Sequence, residues 1–144
     1  MKPVLPATGV EGKVFDLYKI ANRFPATAET MLLDVRLTDE AEASSRVFRV
    51  YRPAPAHYHA TCDEYLVVLS GRALFFMGDG PSFEVGVGAM IFFKKNTVHG
   101  MPQVLEEPFV VLAVDTPRRD PTDVIFVNPE DGDAASFIAS RALV

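Results

Sequence analysis

The chain has a single cysteine, Cys62, so it can form no internal disulfide, and this fits a reducing compartment. No apolar run approaches the ~18 residues that a membrane span requires. The first twenty residues hold no apolar stretch of signal-peptide length, and the expectation is a soluble, cytoplasmic protein. Positive charge is also scarce. Fourteen Lys and Arg stand against nineteen Asp and Glu, a net charge of −5, and no basic cluster exceeds Lys94-Lys95 or Arg118-Arg119. That argues against nucleic acid or an anionic membrane as a partner. Linker-like stretches, internal repeats and low-complexity segments are missing too, so 144 residues read as one domain long enough to bury a core.

What is present is a chain of short strands. After residues 1 to 13, rich in proline and glycine, Leu17, Ile20, Ala21 and Phe24 fall at helical spacing behind a candidate cap, Asp16. Residues 29–38 and 46–52 read as strands; the second alternates polar and apolar residues. Pro53 and Pro55 end it. Apolar runs follow at 65–70 and 72–77, then the turn Gly78-Asp79-Gly80-Pro81, a return strand at 83–85 and another at 89–93. Residues 97–104, 108–115 and 122–127 complete the set. The tail from Asp133 reads as a helix with Phe137 and Ile138 on its buried side. Regularly spaced short strands predict an all-β sandwich or barrel. The expected layout is an arm and short helix over 1–28, a barrel over 29–128 and a helix over 129–144.

Only three histidines occur, and one hypothesis accounts for all of them. His57 and His59 alternate with Tyr58, so in an extended strand both imidazoles face the same way and can share an ion. Glu64 follows at the start of the next strand, and His99 ends a later apolar one. Imidazoles with a carboxylate suit one divalent first-row ion: Zn, Fe, Mn, Ni or Co.

The stretch His57-x-His59, four residues, Glu64, six residues, Gly71 resembles the first motif of the cupin family. The stretch from Gly88 through Lys94-Lys95-Asn96-Thr97-Val98-His99 to Gln103 is similar to the second motif. Lys94 stands where the family has proline, Asn96 where it has glycine, Gln103 where it has asparagine, and Tyr51 where a glycine precedes the histidine pair. Asn tolerates a left-handed turn better than any residue except Gly, so Asn96 keeps the turn. The resemblance covers roughly residues 45 to 116. It implies a double-stranded β-helix jelly roll with short helices near both termini and a pocket between its sheets. It further implies a metal at His57, His59, Glu64 and His99, a small-molecule ligand and a homodimer, with the amino-terminal arm crossing between subunits.

Function follows as an expectation. The first reading is a metal-dependent enzyme acting on a small oxygenated metabolite, with dioxygenase-type chemistry placed ahead of isomerase or lyase chemistry. The alternative is a non-catalytic small-molecule-binding module. Glu64, beyond serving as a ligand, is a candidate general base, and Tyr51, which shares the parity of the histidines, is a candidate acid or base. Tyr58 and Tyr65 should face away from the pocket, while Glu64, Leu66 and Val68 point inward. Cys62 is expected to pack as a small apolar residue rather than ligate. One member of each pair Phe75-Phe76 and Phe92-Phe93 should face inward, and Met101 shares the parity of His99. Arg118 and Arg119 are expected in a solvated turn, or paired with a carboxylate ligand.

Overall fold

A computed structural model of the protein describes residues 11–141. Residues 1–10 of the expected arm, and with them its crossing between subunits, lie outside the described residues, as do residues 142–144 of the expected terminal helix. The order of elements is α1 (Leu17–Ala21), β1 (Leu32–Asp39), β2 (Ser44–Val50), β3 (Ala54–Tyr58), β4 (Asp63–Met77), β5 (Phe83–Gly86), β6 (Met90–Phe93), β7 (His99–Thr116) and β8 (Ile125–Phe126). A 3-10 turn (Pro129–Asp131), α2 (Ala134–Phe137) and β9 (Ile138–Arg141) follow. Strand dominance matches the all-β expectation.

Two long strands build the barrel. The runs at 65–70 and 72–77, read from sequence as separate, form one fifteen-residue strand, β4, and those at 97–104 and 108–115 join into the eighteen-residue β7. Each is long enough to serve two faces because it bends. The front of β4 pairs with β6 and its back with β5. The register between β4 and β7 shifts repeatedly between Val68 and Phe76, and such bulges turn a strand sharply. Gly71 sits at this bend with φ 78°, where a Cβ would lie 2.3 Å from the Glu106 carbonyl oxygen. Only glycine fits that approach.

The sheet runs β5-β4-β7-β2-β1-β9, with β3 pairing β7 and β8. Alternation sorts the side chains. Arg46, Phe48 and Val50 of β2 point into the barrel, and the phenylalanines and aliphatics of β4, β6 and β7 join Phe48 and Val50 there in a continuous core. On the opposite face Val35, Val47, Leu69 and Val110 bury against Ile20 and Ala21 of α1. That contact is why a five-residue helix, too short to persist alone, is held in place. Asp16 caps it as expected, accepting from the Lys19 amide at 3.1 Å.

The carboxy-terminal expectation is corrected. Asp133 does cap a helix, through a capping box with Ser136, but that helix ends after four residues at Phe137. The chain from Ile138 becomes β9 and pairs in parallel with β1. The outer edge of β1 offers unpaired backbone groups, and β9 satisfies them. No helix among the described residues is long and apolar enough to cross a membrane.

Candidate metal centre

The barrel brings the three histidines to one point. His57 lies on β3, opposite His99 at the start of β7, and His59 follows just past the end of β3. One ligand nitrogen from each lies within 4.8 Å of the others, and all three residues are buried. Ring centroids are 4.4 Å apart for His57–His99, 5.4 Å for His57–His59 and 5.3 Å for His59–His99. His99 stacks on Phe93 with centroids 3.9 Å apart, and His57 packs against Phe137 at 4.9 Å.

Each ring is oriented through its Nδ1. His57 Nδ1 donates to the Pro55 carbonyl at 2.7 Å, His59 Nδ1 to that of Asp123 at 2.7 Å, and His99 Nδ1 to that of Thr97 at 2.9 Å. A carbonyl only accepts, so each proton sits on Nδ1 and each Nε2 keeps its lone pair. Backbone carbonyls holding the far nitrogen are the usual support of a metal-binding imidazole. Burial keeps two of these rings neutral: with the neighbouring imidazoles it holds His57 well below its ordinary value, and it brings His99 down to about 4.

Glu64, second residue of β4, adds the carboxylate. Its Oε1 stands 3.5 Å from His59 Nε2 and 3.6 Å from His99 Nε2. These separations exceed hydrogen-bond length, and both partners are acceptors. Acceptors facing one another across an apolar pocket repel unless a cation lies among them, so the donor set suits a divalent ion. The other oxygen, Oε2, accepts from Arg46 at 3.2 Å and has Arg119 at 3.9 Å. Burial opposes the charge on Glu64, but the positive charge that His59 and His99 carry once protonated, with that of Arg119, outweighs it and holds the carboxyl well below the usual range.

The surroundings contain groups that the sequence did not announce. Arg46, Arg119 and Asp115 are all buried beside Glu64, and Asp115 Oδ2 lies 3.7 Å from Arg46. Arg119 Nη1 is 3.3 and 3.2 Å from the two ring nitrogens of His59, and so stands over the face of the imidazole. The expectation of a solvated Arg118-Arg119 turn holds for Arg118 alone, whose guanidinium pairs with Asp39 at the surface. Asp123 fixes the loop between His59 and Glu64, its carboxylate accepting from the amides of Ala60 and Thr61 and the Thr61 hydroxyl. One signal for Arg46 was available: it shares strand parity with Phe48 and Val50.

Other expectations sort cleanly. Asn96 has φ 68°, the left-handed turn anticipated for it, and its amide donates to the His59 carbonyl at 2.8 Å. Leu66, Val68, Phe75, Phe93 and Met101 are buried, while Tyr65 and Phe92 are exposed on the outer face. Cys62 is buried outside the histidine group, and burial pushes its thiol up to about 12. Tyr51 is not brought to the cluster. Its hydroxyl donates 2.7 Å to the Pro25 carbonyl, and its ring lies under Arg49. The Pro53–Pro55 break shifts it out of the histidines' alternation.

The pocket over the cluster has a volume of ≈ 30 Å³. Its polar end is His57, His59, His99, Glu64 and Arg46, and its other walls are mainly apolar.

A family model described as the cupin domain matches residues 49–115, the span that contains His57, His59, Glu64 and His99. Residues 49–115 are a cupin domain. Among solved structures this cupin is similar to a conserved protein with a double-stranded β-helix domain from Klebsiella pneumoniae. The TM-score is 0.62 at 20% identity, over 75% of this chain and 92% of that one. It is also similar to KdgF from Halomonas sp. (TM-score 0.57, 20% identity, 62% of this chain and 82% of that). A third similar structure is the DMSP lyase DddQ from Ruegeria pomeroyi, with TM-score 0.55 and 24% identity. There the match covers 63% of this cupin but only 46% of the lyase. At these identities the likeness is one of fold. Among curated proteins none matches the chain in sequence.

Proposed function

We propose that this cupin is a metal-dependent enzyme acting on a small oxygenated metabolite, with one divalent first-row ion held by His57, His59, Glu64 and His99. The observation that carries the reading is the shared tautomer: three Nδ1 protons given to carbonyls, and three Nε2 lone pairs left in one buried group. When bound, such an ion polarises a carbonyl or lowers the pKa of water, and iron would add oxygen chemistry. The protein's own residues supply the rest. The histidines fix the direction of approach, Glu64 offers Oε1 inward while the arginines hold Oε2, and Phe75, Met101 and Phe137 keep bulk water away. A fold neighbour described as a DMSP lyase puts lyase reactions beside oxygenase and isomerase reactions among those to assay.

Homodimerisation belongs to the same proposal. Tyr65 and Phe92 pair at 4.9 Å on the outer face of β4 and β6, with Met90 exposed beside them, and a second copy would cover them.

The test is metal content, by plasma mass spectrometry, of untagged protein and of a His57→Ala, His59→Ala double variant. Near-stoichiometric metal in the first and none in the second is expected. An iron site would then be followed by oxygen uptake, and zinc, nickel or manganese by isomerase and lyase assays. Protein that takes up no metal even on reconstitution would overturn the enzyme and leave a binding module.

A further inference from the structure

Two residues of the pocket are not explained by holding a metal. The first is Arg46. Among the described residues it is the one Lys or Arg in the pocket lining, it is 6% exposed, and its Nη2 reaches Glu64 and Asp115. Its Nε has no hydrogen-bond partner among the described residues. A guanidinium does not shed its charge, so a buried Nε–H calls for an acceptor. The second is Phe137. It lines the same pocket, lies on His57 and is 5.9 Å from Phe126, although it belongs to a helix of one turn. Three separate contacts hold that turn in place: the Asp133–Ser136 capping box, the Met31 amide donating to the Ser136 carbonyl at 3.1 Å, and the parallel pairing of β9 with β1. A ring anchored this firmly acts as a wall.

Between them the pocket has a defined polarity. The imidazoles, Glu64 and Arg46 make one end, and Leu32, Phe48, Leu66, Phe75 and Met101 line the rest. We propose that the ligand of this pocket is a short-chain carboxylate. Its head is received by Arg46 beside the histidine cluster, its hydrocarbon body lies on the apolar wall, and Phe137 limits its length. The inference rests on the metal-dependent reading above and names its substrate class. A planar monoanion matches a guanidinium and gains a charge-assisted bond that an alcohol or amide does not. Glu64 and Asp115 stand within 4 Å of the same guanidinium and oppose every added negative charge, so a monoanion is favoured over a dianionic phosphate. The pocket is small, and Phe137 is part of its lining, so removing that ring would enlarge it.

The experiment uses the full chain loaded with Co(II), whose visible absorption reports binding next to the ion, after cobalt content has been measured. Acetate, propionate, butyrate and hexanoate are titrated, with propionamide as the neutral isostere of propionate. Wild-type protein should bind propionate at least roughly tenfold more tightly than propionamide, and hexanoate weakly. Phe137→Ala should keep its cobalt and gain roughly tenfold or more for hexanoate, the order expected when a fully buried ring is removed from a cavity wall. Arg46→Met should bring propionate down to the level of propionamide. If Arg46→Met fails to fold or to take up cobalt, the wild-type acid–amide comparison and Phe137→Ala decide alone. Full cobalt with equal affinity for acid and amide overturns the carboxylate. An unchanged chain-length preference in Phe137→Ala overturns the role of that ring. No cobalt uptake by wild type overturns the metal site and this inference together, and is distinguished by the cobalt measurement itself.

Discussion

Asp123 and His59 are 64 residues apart in the chain, yet Asp123 holds the start of the loop that leaves His59. Its carbonyl accepts the Nδ1 proton, and its carboxylate accepts from Ala60 and Thr61, the next two residues. Burial would raise this carboxyl, but the bonds from Ala60 and Thr61 hold it below the usual range, so it is an anion in the folded state. Replacing Asp123 with alanine is expected to lower metal affinity about 10- to 100-fold, the usual cost of losing a support behind a ligand. Competition with a chromogenic chelator measures this; affinity equal to wild type would show that the loop orders itself without Asp123.

A second prediction concerns Glu64. In the metal-free protein it is the anion facing Arg46 and Arg119, both buried. Glu64→Gln removes that charge and leaves Asp115, with Asp34 acting on Arg46, as the counter-charges of the two cations, so the apo variant should lose about 3–5 kcal/mol. Urea denaturation of apo wild type and variant reads the difference. Equal midpoints would mean that Asp115 and Asp34 suffice for both arginines.

The histidines give a third, in pH. His99 is lowered to about 4, chiefly by burial, and His57 is lowered too, while both titrate near 6.5 in an unfolded chain. Between about pH 4 and 6.5 the unfolded state therefore binds more protons than the folded one, and stability rises with pH across that window. On acidification the apo protein should lose on the order of 3 kcal/mol from His99 alone before levelling near pH 4. Thermal melts from pH 7.5 to 4 test it against a His99→Gln variant, whose curve should be flatter; parallel curves would refute the assignment.

Asn96 supplies a fourth. At φ 68° it occupies the left-handed region, and its amide is tied to the His59 carbonyl. Asn96→Gly should leave the melting temperature nearly unchanged, whereas Asn96→Val should cost about 1–2 kcal/mol and weaken metal binding with it. Equal effects of the two would mean the side chain matters more than the backbone.

The sites that were legible in sequence are those whose meaning lies in local spacing. His57-x-His59 with Glu64 survives in the fold because strand alternation carries it, and Asn96 because left-handed turns admit few residues. Parity placed Leu66, Val68 and Tyr65 for the same reason. What escaped depends on distant partners. Arg46 and Arg119 look like surface residues until Glu64 and Asp115 are brought against them, and Asp123 until Ala60 and Thr61 are. Tyr51 fell to the reverse problem, since alternation counted across two prolines does not hold. The tail was read as a longer helix because nothing near Ile138 reveals the open edge of β1, which lies more than a hundred positions earlier. Gly71 separates two apolar runs in the sequence, whereas in the fold it lets one strand turn a corner.

The pairing of β9 with β1 also has a meaning in time. A chain emerges from its amino end, so all three histidines, and every strand that carries them, are synthesised before Phe137. The wall that Phe137 gives the cavity is thus the last part of it to be made, and the strand that follows that ring, Ile138–Arg141, is joined to Leu32–Val35 by four residue pairs.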